Sequence, residues 1–159
     1  MAIRTIREEG DEILRKKSRE VEEINEKIAT LIEDMFDTMH KFNGVGLSAV
    51  QVGILKRVIV IDTGEEGEKF AIINPEIIKT KGEQTVEEGC LSFPNKYGKI
   101  VRPAEVTVKG LNEKGEAIKI KAKDLLAQAI AHEVDHLNGE LFVDKIIPGT
   151  LEYIEPEKQ

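Results

Sequence analysis

The sequence DLLAQAIAHEVDHLNG, residues 124–139, carries the clearest structural signal in the chain. Its apolar residues recur every three or four positions, which places them on one side of an α-helix. Asp124 is a good N-cap, and Asn138 and Gly139 tolerate the left-handed backbone conformation that ends many helices. We therefore predict a helix from Asp124 to Leu137. The residues on its predicted core-facing side are Leu125, Ala129, His132 and His136.

The preceding part of the chain contains one further helix and several strands. Apolar residues at the same spacing predict a helix from about Asn25 to Lys41, ended by Asn43 and Gly44. Between residues 57 and 108 lie the short β-branched runs RVIVID, FAII, EIIKT and AEVTV. Gly, Pro and Asn separate these runs, a pattern typical of strands.

The connections between the strands indicate how the sheet is built. The segment LNEKG suits a hairpin turn, because residues 118–122 after it alternate apolar and charged side chains as a half-buried strand does. The remaining connections are too short for helical crossovers, so the sheet is antiparallel or mixed. We predict the α+β class, with such sheets around the C-terminal helix and a second helix near the N-terminus.

Length and composition limit the possible functions. The 159 residues predict one domain over 1–159, and we expect the tail after about residue 150 to be poorly ordered. A net charge of −7 argues against a direct nucleic-acid role, because phosphates need cationic partners. Apolar runs are far shorter than the ~20 residues of a membrane span, so no membrane association is expected. The first 17 residues lack the apolar segment of a signal peptide, which predicts a cytoplasmic protein.

The sequence HEVDH within the C-terminal helix predicts a metal site. His132 and His136 are four residues apart, so both imidazoles project from one helical face and can bind one metal ion. Glu133 lies about 100° around the helix from His132 and can reach a water on that ion without being a ligand. The alternative is two histidines that lie near a glutamate by chance, each hydrogen-bonded in the core or exposed.

A catalytic metal site usually has three protein ligands and one open position, so a third donor is required. Glu140 and Asp144 follow the helix, and Cys90 lies upstream in EEGCLSFP. Cys90 is the only cysteine, which excludes an internal disulfide. As a thiolate it would complete a Cys-His-His site. The alternative is a structural cysteine buried in the core.

Three segments together resemble a known family. The segments GVGLSAVQ at 44–51, EGCLS at 88–92 and HEVDH at 132–136 closely resemble, in order and spacing, the signature motifs of peptide deformylases. The resemblance implies an α+β fold and a metal held by Cys90, His132 and His136. It also implies hydrolysis of the N-formyl group from the N-terminal formyl-methionine of newly made peptides, with release of formate. Ser48 and Ala131 depart from the usual Ala and Gln of the family.

The resemblance also implies the roles of the residues around the metal. Glu133 would take a proton from the attacking water and later deliver it to the leaving amine. Gln51, through its side-chain N–H, and Leu91, through its backbone N–H, would stabilise the oxyanion. The residues that we assign to substrate binding are Gly44, Val45, Gly46, Glu88 and Gly89.

Two of these assignments have plainer alternatives. The glycines on either side of Val45 would leave backbone bare for an extended peptide, which adds like an edge strand, or they form a simple turn. Glu88 and Arg102 match an acidic and a basic position of the family, which predicts an ion pair that steadies the Cys90 loop. The alternative is an ordinary solvated pair.

The cofactor and partners follow from the same resemblance. We expect one divalent metal ion, natively Fe²⁺, which Zn²⁺, Ni²⁺ or Co²⁺ can replace. The expected partners are N-formylmethionyl nascent chains. Some relatives contact the ribosome through a basic C-terminal extension, but here the acidic IEPEKQ argues against such contact.

Two other functions use the same residues. One is a metallopeptidase or other amide hydrolase that acts on a different N-blocked substrate. The other is a non-catalytic peptide-binding module with a structural metal, whose fourth position would be closed by a protein ligand.

Overall fold

Two α-helices and a six-stranded sheet make up the computed structural model, which describes residues 2–155. The helices are α1 (Glu26–Lys41) and α2 (Asp124–Leu137). The strands are β1 (Gly46–Ser48), β2 (Val58–Asp62), β3 (Lys69–Cys90), β4 (Phe93–Leu111), β5 (Ala117–Lys123) and β6 (Glu152–Tyr153). Short 3₁₀ turns lie at Glu12–Arg15, Ala49–Val52 and Phe142–Asp144. The predicted α+β class is confirmed.

The strands follow the order β1-β2-β3-β4-β5, and β6 pairs with β4. All these pairs are antiparallel, so of the two predicted arrangements the sheet takes the antiparallel one. The runs FAII and EIIKT were predicted as separate strands but belong to one strand, β3. Its register shifts between Ile73 and Glu76, where Asn74 has a positive φ of 54° and Pro75 lacks an N–H. This bulge lets the strand continue past the proline.

The ends of both helices lie within one residue of the predicted positions. Asn25 caps α1 by accepting a hydrogen bond from the backbone N–H of Ile28 at 3.2 Å. Gly139 follows α2 with a φ of 75°, and a Cβ there would lie 2.4 Å from the carbonyl oxygen of Arg15. The N-cap of α2 is Lys123 rather than Asp124, because β5 runs directly into the helix and Asp124 is already its first residue.

The strand β2 explains how both helices are held against the sheet. Successive side chains of a strand point to opposite faces. Val58 and Val60 therefore pack in one apolar cluster with α1, whereas Ile59 and Ile61 pack in another with α2. Burial on both faces accounts for the uninterrupted apolar run in this strand. The arrangement fixes α2 beside the C-terminal end of β3.

Two features near the chain ends complete the description. The tail after about residue 150 is predicted to be poorly ordered; in the structure Glu152–Tyr153 pairs with Lys96 and Tyr97 of β4, while residues 156–159 lie outside the described part. Within residues 2–155, no helix is long and apolar enough to cross a membrane.

Candidate active site

Cys90 at the end of β3 meets two histidines of α2. The Nε2 atom of His136 lies 3.2 Å from Nε2 of His132 and 3.3 Å from Sγ of Cys90. All three donor atoms are within 4.8 Å of one another. Bonds of about 2.0–2.3 Å around one tetrahedral ion would separate such atoms by roughly 3.3–3.6 Å. The donor set therefore fits one shared metal ion, and the predicted cluster of three residues forms.

The charges around the two imidazoles suit metal binding. Nδ1 of His132 lies 2.6 Å from Oε2 of Glu88, so it donates to the carboxylate and leaves Nε2 facing the cluster. Burial, together with the charge of His132, holds the pKa of His136 well below its usual range, so this ring is neutral. Burial opposes a charge on His132, but Glu133 and Cys90 raise its pKa well above 6.5. The anionic neighbours that favour a proton on His132 would equally favour a metal ion at Nε2, which would replace that proton on binding.

A buried ion pair supports His132 from behind. Arg102 donates from Nε to Oε1 of Glu88 at 3.0 Å and from Nη2 to Oε2 at 2.6 Å. Their side chains are 3% and 4% exposed, so the predicted pair forms in the interior rather than in solvent. Burial alone would raise the pKa of Glu88, but hydrogen bonds from His132 and Arg102 lower it to about 2. Oε1 of Glu88 also accepts a hydrogen bond from Nε2 of Gln128 at 3.2 Å, and the contact of Glu88 with substrate stays a prediction.

The same arginine also contacts α2. Its Nη1 donates to Oδ2 of Asp135 at 2.7 Å, and that carboxylate oxygen lies 3.0 Å from Nζ of Lys145. Asp135 is not among the residues that the sequence predicts for the site, because a residue at this helix position can equally face solvent. Its position three residues after His132 was a signal for a role behind the metal ligands, but spacing alone did not identify the partner.

Glu133 lies beside His132 of the Cys90–His132–His136 cluster, and its side chain is buried. Its Oε1 accepts a hydrogen bond from Oγ of Ser48 at 2.8 Å. Its Oε2 approaches the backbone of Gly46 so closely that a Cβ there would lie 2.6 Å away. Burial raises the pKa of Glu133, and this effect is opposed by the charge of His132 and by the Ser48 hydroxyl. A carboxyl group with a raised pKa is suited to accept and return a proton.

Gln51 lies on the other side of the thiol. Its Oε1 accepts from the backbone N–H of Ser48 at 2.9 Å, which turns its amide nitrogen toward the cluster. That nitrogen lies 3.1 Å from Oγ of Ser92 and 3.5 Å from Sγ of Cys90. The Gln51 side chain is therefore held with an N–H donor at the candidate metal site.

A cavity of about 1020 Å³ opens beside the cluster. Leu91 forms part of its wall and packs against Gly44, where a Cβ would lie 2.7 Å from Cδ1 of that leucine. Leu125 lines the cavity and is 47% exposed, so its predicted core-facing position is wrong: the first turn of α2 borders the cavity. The predicted site residues that line this cavity are Gly44, Val45, Gly46, Gln51, Glu88, Gly89, Cys90, Leu91, His132 and Glu133.

The match to known proteins covers the elements that build this site. The family model of polypeptide deformylase matches residues 3–151. The chain belongs to the polypeptide deformylase family. Peptide deformylase 1 of Clostridium acetobutylicum is 60% identical over 146 residues, which cover 92% of this chain and 96% of that protein.

Solved structures of other deformylases share the fold. A peptide deformylase from Legionella pneumophila superposes with a TM-score of 0.89 at 49% identity, over 92% of this chain and 88% of that one. A peptide deformylase from Synechococcus elongatus in complex with actinonin gives a TM-score of 0.86 at 40% identity, over 91% of this chain and 79% of that one. The protein is a metal-dependent hydrolase with peptide deformylase activity, which releases formate from the N-terminal formyl-methionine of newly made peptides.

Sequence reasoning missed two hydroxyl groups at this site. Ser48 contacts both Glu133 and Gln51, and Ser92 accepts a hydrogen bond from Gln51. Ser48 departs from the usual alanine of the family, but the sequence indicates no partner for its hydroxyl. Its partner Glu133 lies 85 residues away, and no local spacing connects the two.

Proposed function

We propose that Cys90, His132 and His136 hold the catalytic ion of this deformylase, and that the ion is Fe²⁺ in the cell. Support for the ligand set comes from the three donor atoms within 4.8 Å of one another, which is the observation that carries the proposal. Thiolate and imidazole donors also suit Zn²⁺, Ni²⁺ and Co²⁺. When bound, such an ion lowers the pKa of a water molecule toward neutrality and polarises a carbonyl oxygen.

Glu133 is the proposed proton carrier of the reaction. Its Oε1 is engaged by Ser48, which leaves Oε2 on the side of Gly46 and the cavity. Oε2 accepts the proton of the attacking water and returns it to the nitrogen of the leaving amine. The C–N bond of the formamide breaks, and formate and a free N-terminus are the products. The raised pKa of the buried carboxyl supports both steps.

Gln51 and Leu91 are the proposed donors to the oxyanion that forms on the formyl carbonyl. The amide of Gln51 supports this role because its oxygen accepts from Ser48 while its nitrogen faces Cys90. The backbone N–H of Leu91 follows the metal-binding cysteine directly in the chain. Loss of one such donor typically raises the barrier by about 2.7–4 kcal/mol.

The substrate is proposed to lie along Gly44, Val45 and Gly46, with Glu88 and Gly89 on the opposite wall. β1 is the terminal strand in the order of the described sheet, so an extended peptide can add beside it. The ring of Tyr97, the cross-strand partner of Gly89, requires a glycine at that position, because an added Cβ would lie 2.7 Å from its Cε1. Actinonin, present in the Synechococcus elongatus structure, is proposed to bind in the same cavity. The proposed partners are nascent formylated chains in the cytoplasm.

The test combines metal analysis with product analysis. The purified chain is loaded anaerobically with Fe²⁺, Zn²⁺, Ni²⁺ or Co²⁺, and formate release from a formyl-Met peptide is measured together with metal content. One ion per chain, fastest turnover with Fe²⁺ and loss of metal in Cys90→Ala are expected. Full metal content in Cys90→Ala contradicts the ligand set. Slower turnover with Fe²⁺ than with Zn²⁺ contradicts the proposed native ion. Cleavage at internal peptide bonds would indicate a peptidase.

A further inference from the structure

The hydroxyl of Ser48 lies between the proposed proton carrier and a proposed oxyanion donor. Ser48 is fully buried at the end of β1. Its Oγ lies 2.8 Å from Oε1 of Glu133 and 3.1 Å from Oε1 of Gln51. Both neighbours are acceptors, and a hydroxyl has a single hydrogen to donate.

The hydrogen of Ser48 is assigned to Glu133 on two grounds. The contact with the carboxylate is the shorter one, and hydrogen bonds to charged acceptors are the stronger kind. The Gln51 oxygen, in addition, already accepts from the backbone N–H of Ser48 at 2.9 Å. One residue thus contributes two donors, the backbone N–H to Gln51 and the hydroxyl to Glu133.

This hydroxyl is also the one hydrogen-bond donor that residues 2–155 offer to the Glu133 carboxylate. Without it, Oε1 would be buried with no donor from that part of the chain, and the carboxylate would be free to rotate about its terminal bond. Oε2 would then leave the position beside Gly46 that faces the cavity. A misplaced proton acceptor slows the reaction without weakening the binding of a peptide along β1.

We propose that Ser48 is a positioning residue that holds the Glu133 carboxylate with Oε2 directed at the reacting water, while its backbone N–H sets the orientation of the Gln51 amide. The proposal rests on the proposed role of Glu133. It assigns to this chain a side-chain contact that an alanine, the usual family residue at this position, cannot make.

Ser48→Ala removes the hydroxyl and leaves the backbone N–H in place. We expect kcat for a formyl-Met peptide to fall about tenfold, as for the loss of one hydrogen bond to a charged group, while KM changes less than about twofold. Ser48→Thr keeps a hydroxyl and is expected to recover most of kcat. Metal content and thermal midpoint are measured for each variant, and both should stay close to those of the parent.

Ser18→Ala is the matched control. Ser18 is also buried, and its hydroxyl has no hydrogen-bond partner among the described residues. Its variant should keep the kcat of the parent. Unchanged kcat in Ser48→Ala, or a loss that Ser48→Thr does not recover, would overturn the proposal. If Ser48→Ala does not fold, Ser48→Cys is used in its place. A thiol is a weak hydrogen-bond donor, so the kcat of Ser48→Cys should be below that of Ser48→Thr. A kcat of Ser48→Cys above that of Ser48→Thr would overturn the proposal.

Glu133→Gln, measured in parallel, separates this proposal from the proposed function. If Glu133→Gln loses turnover but Ser48→Ala does not, Glu133 is the proton carrier and the positioning role of Ser48 is wrong. If Glu133→Gln keeps the parent kcat, the role of Glu133 is wrong, and the positioning role of Ser48 fails with it.

Discussion

The two sides of the active site are built in different ways. Behind the candidate metal ligands, Glu88 and Arg102 form a buried ion pair that also bonds to His132, and its polar atoms are paired. At the mouth of the cavity, the wall consists of glycine backbone and half-exposed apolar side chains such as Val45 and Leu125. We expect the chemistry to depend on the paired polar interior and the binding of substrate to depend on the apolar mouth of the cavity.

Removal of Glu133, the proposed proton carrier, is expected to have the largest effect on kcat. Glu133→Gln should lower kcat by about 10²–10⁴-fold, because general acid–base catalysis contributes on that scale. Metal content should not change, since Glu133 is not part of the ligand cluster. Formate release and metal analysis on the same preparation check this. Retained turnover would show that another group moves the proton.

Disruption of the ion pair behind His132 is expected to have the next largest effect. Arg102→Leu leaves Glu88 buried without its cationic partner, which should destabilise the fold by about 3–5 kcal/mol. The affinity for metal should fall about 10–100-fold, because Glu88, the hydrogen-bond partner of His132, is no longer held in place by Arg102. Denaturant unfolding and competition with a chelator measure the two effects.

Lys109→Ala is the matched control for this ion pair. Nζ of Lys109 lies 3.6 Å from Oε2 of Glu76, and both side chains are more than half exposed. An exposed pair contributes about 0–1 kcal/mol, so this variant should unfold almost as the parent does. Equal losses in the two variants would contradict the distinction between buried and exposed charges.

Acid should remove the contribution of Glu88 to the free energy of unfolding. Its pKa is lowered from 4.5 to about 2, so it stabilises the folded state above pH 4.5, and this contribution disappears as the pH falls from about 4.5 toward 2. The shift corresponds to about 3 kcal/mol. Denaturant unfolding of the metal-free parent and of Glu88→Gln should therefore differ most near neutral pH and converge in acid. If the free energies of unfolding of the parent and of Glu88→Gln differ by the same amount down to pH 2, the low pKa of Glu88 is wrong.

A change at the cavity mouth should have the smallest effect. Val45→Ala should raise KM for a formyl-Met peptide about threefold with little change in kcat, because it removes part of an apolar contact with substrate. Val101→Ala is the control, since Val101 is similarly exposed but does not line the cavity. A kcat loss in Val45→Ala as large as that in Ser48→Ala would remove the contrast between the two sides.

The local signals in the sequence were enough to place the helices. Periodic apolar residues and Asn25 as a cap predicted α1, and the spacing of His132 and His136 predicted that they share one face. Spacing alone did not identify Cys90 as the third ligand, because it lies on a different element 42 residues before His132. Its assignment depended on the family resemblance, and the structure places it beside His136.

The contacts between distant side chains escaped prediction for a physical reason. The bonds from Ser48 to Glu133 and from Arg102 to Asp135 join residues 85 and 33 positions apart. Such pairs depend on how the sheet and α2 pack, which periodicity does not specify. The exposure of Leu125 has the same origin, because an open cavity replaces the sheet beside the first turn of α2.

Arg102 has a consequence for how the protein exchanges its ion. It bonds at once to Glu88 of β3 and to Asp135 of α2, the two elements that supply the thiol and the imidazoles. An incoming cation therefore meets donors that are already gathered, and little chain entropy is lost when it binds. We therefore expect the rate of metal binding to depend on how fast each hydrated ion loses its water ligands, and not on a folding step.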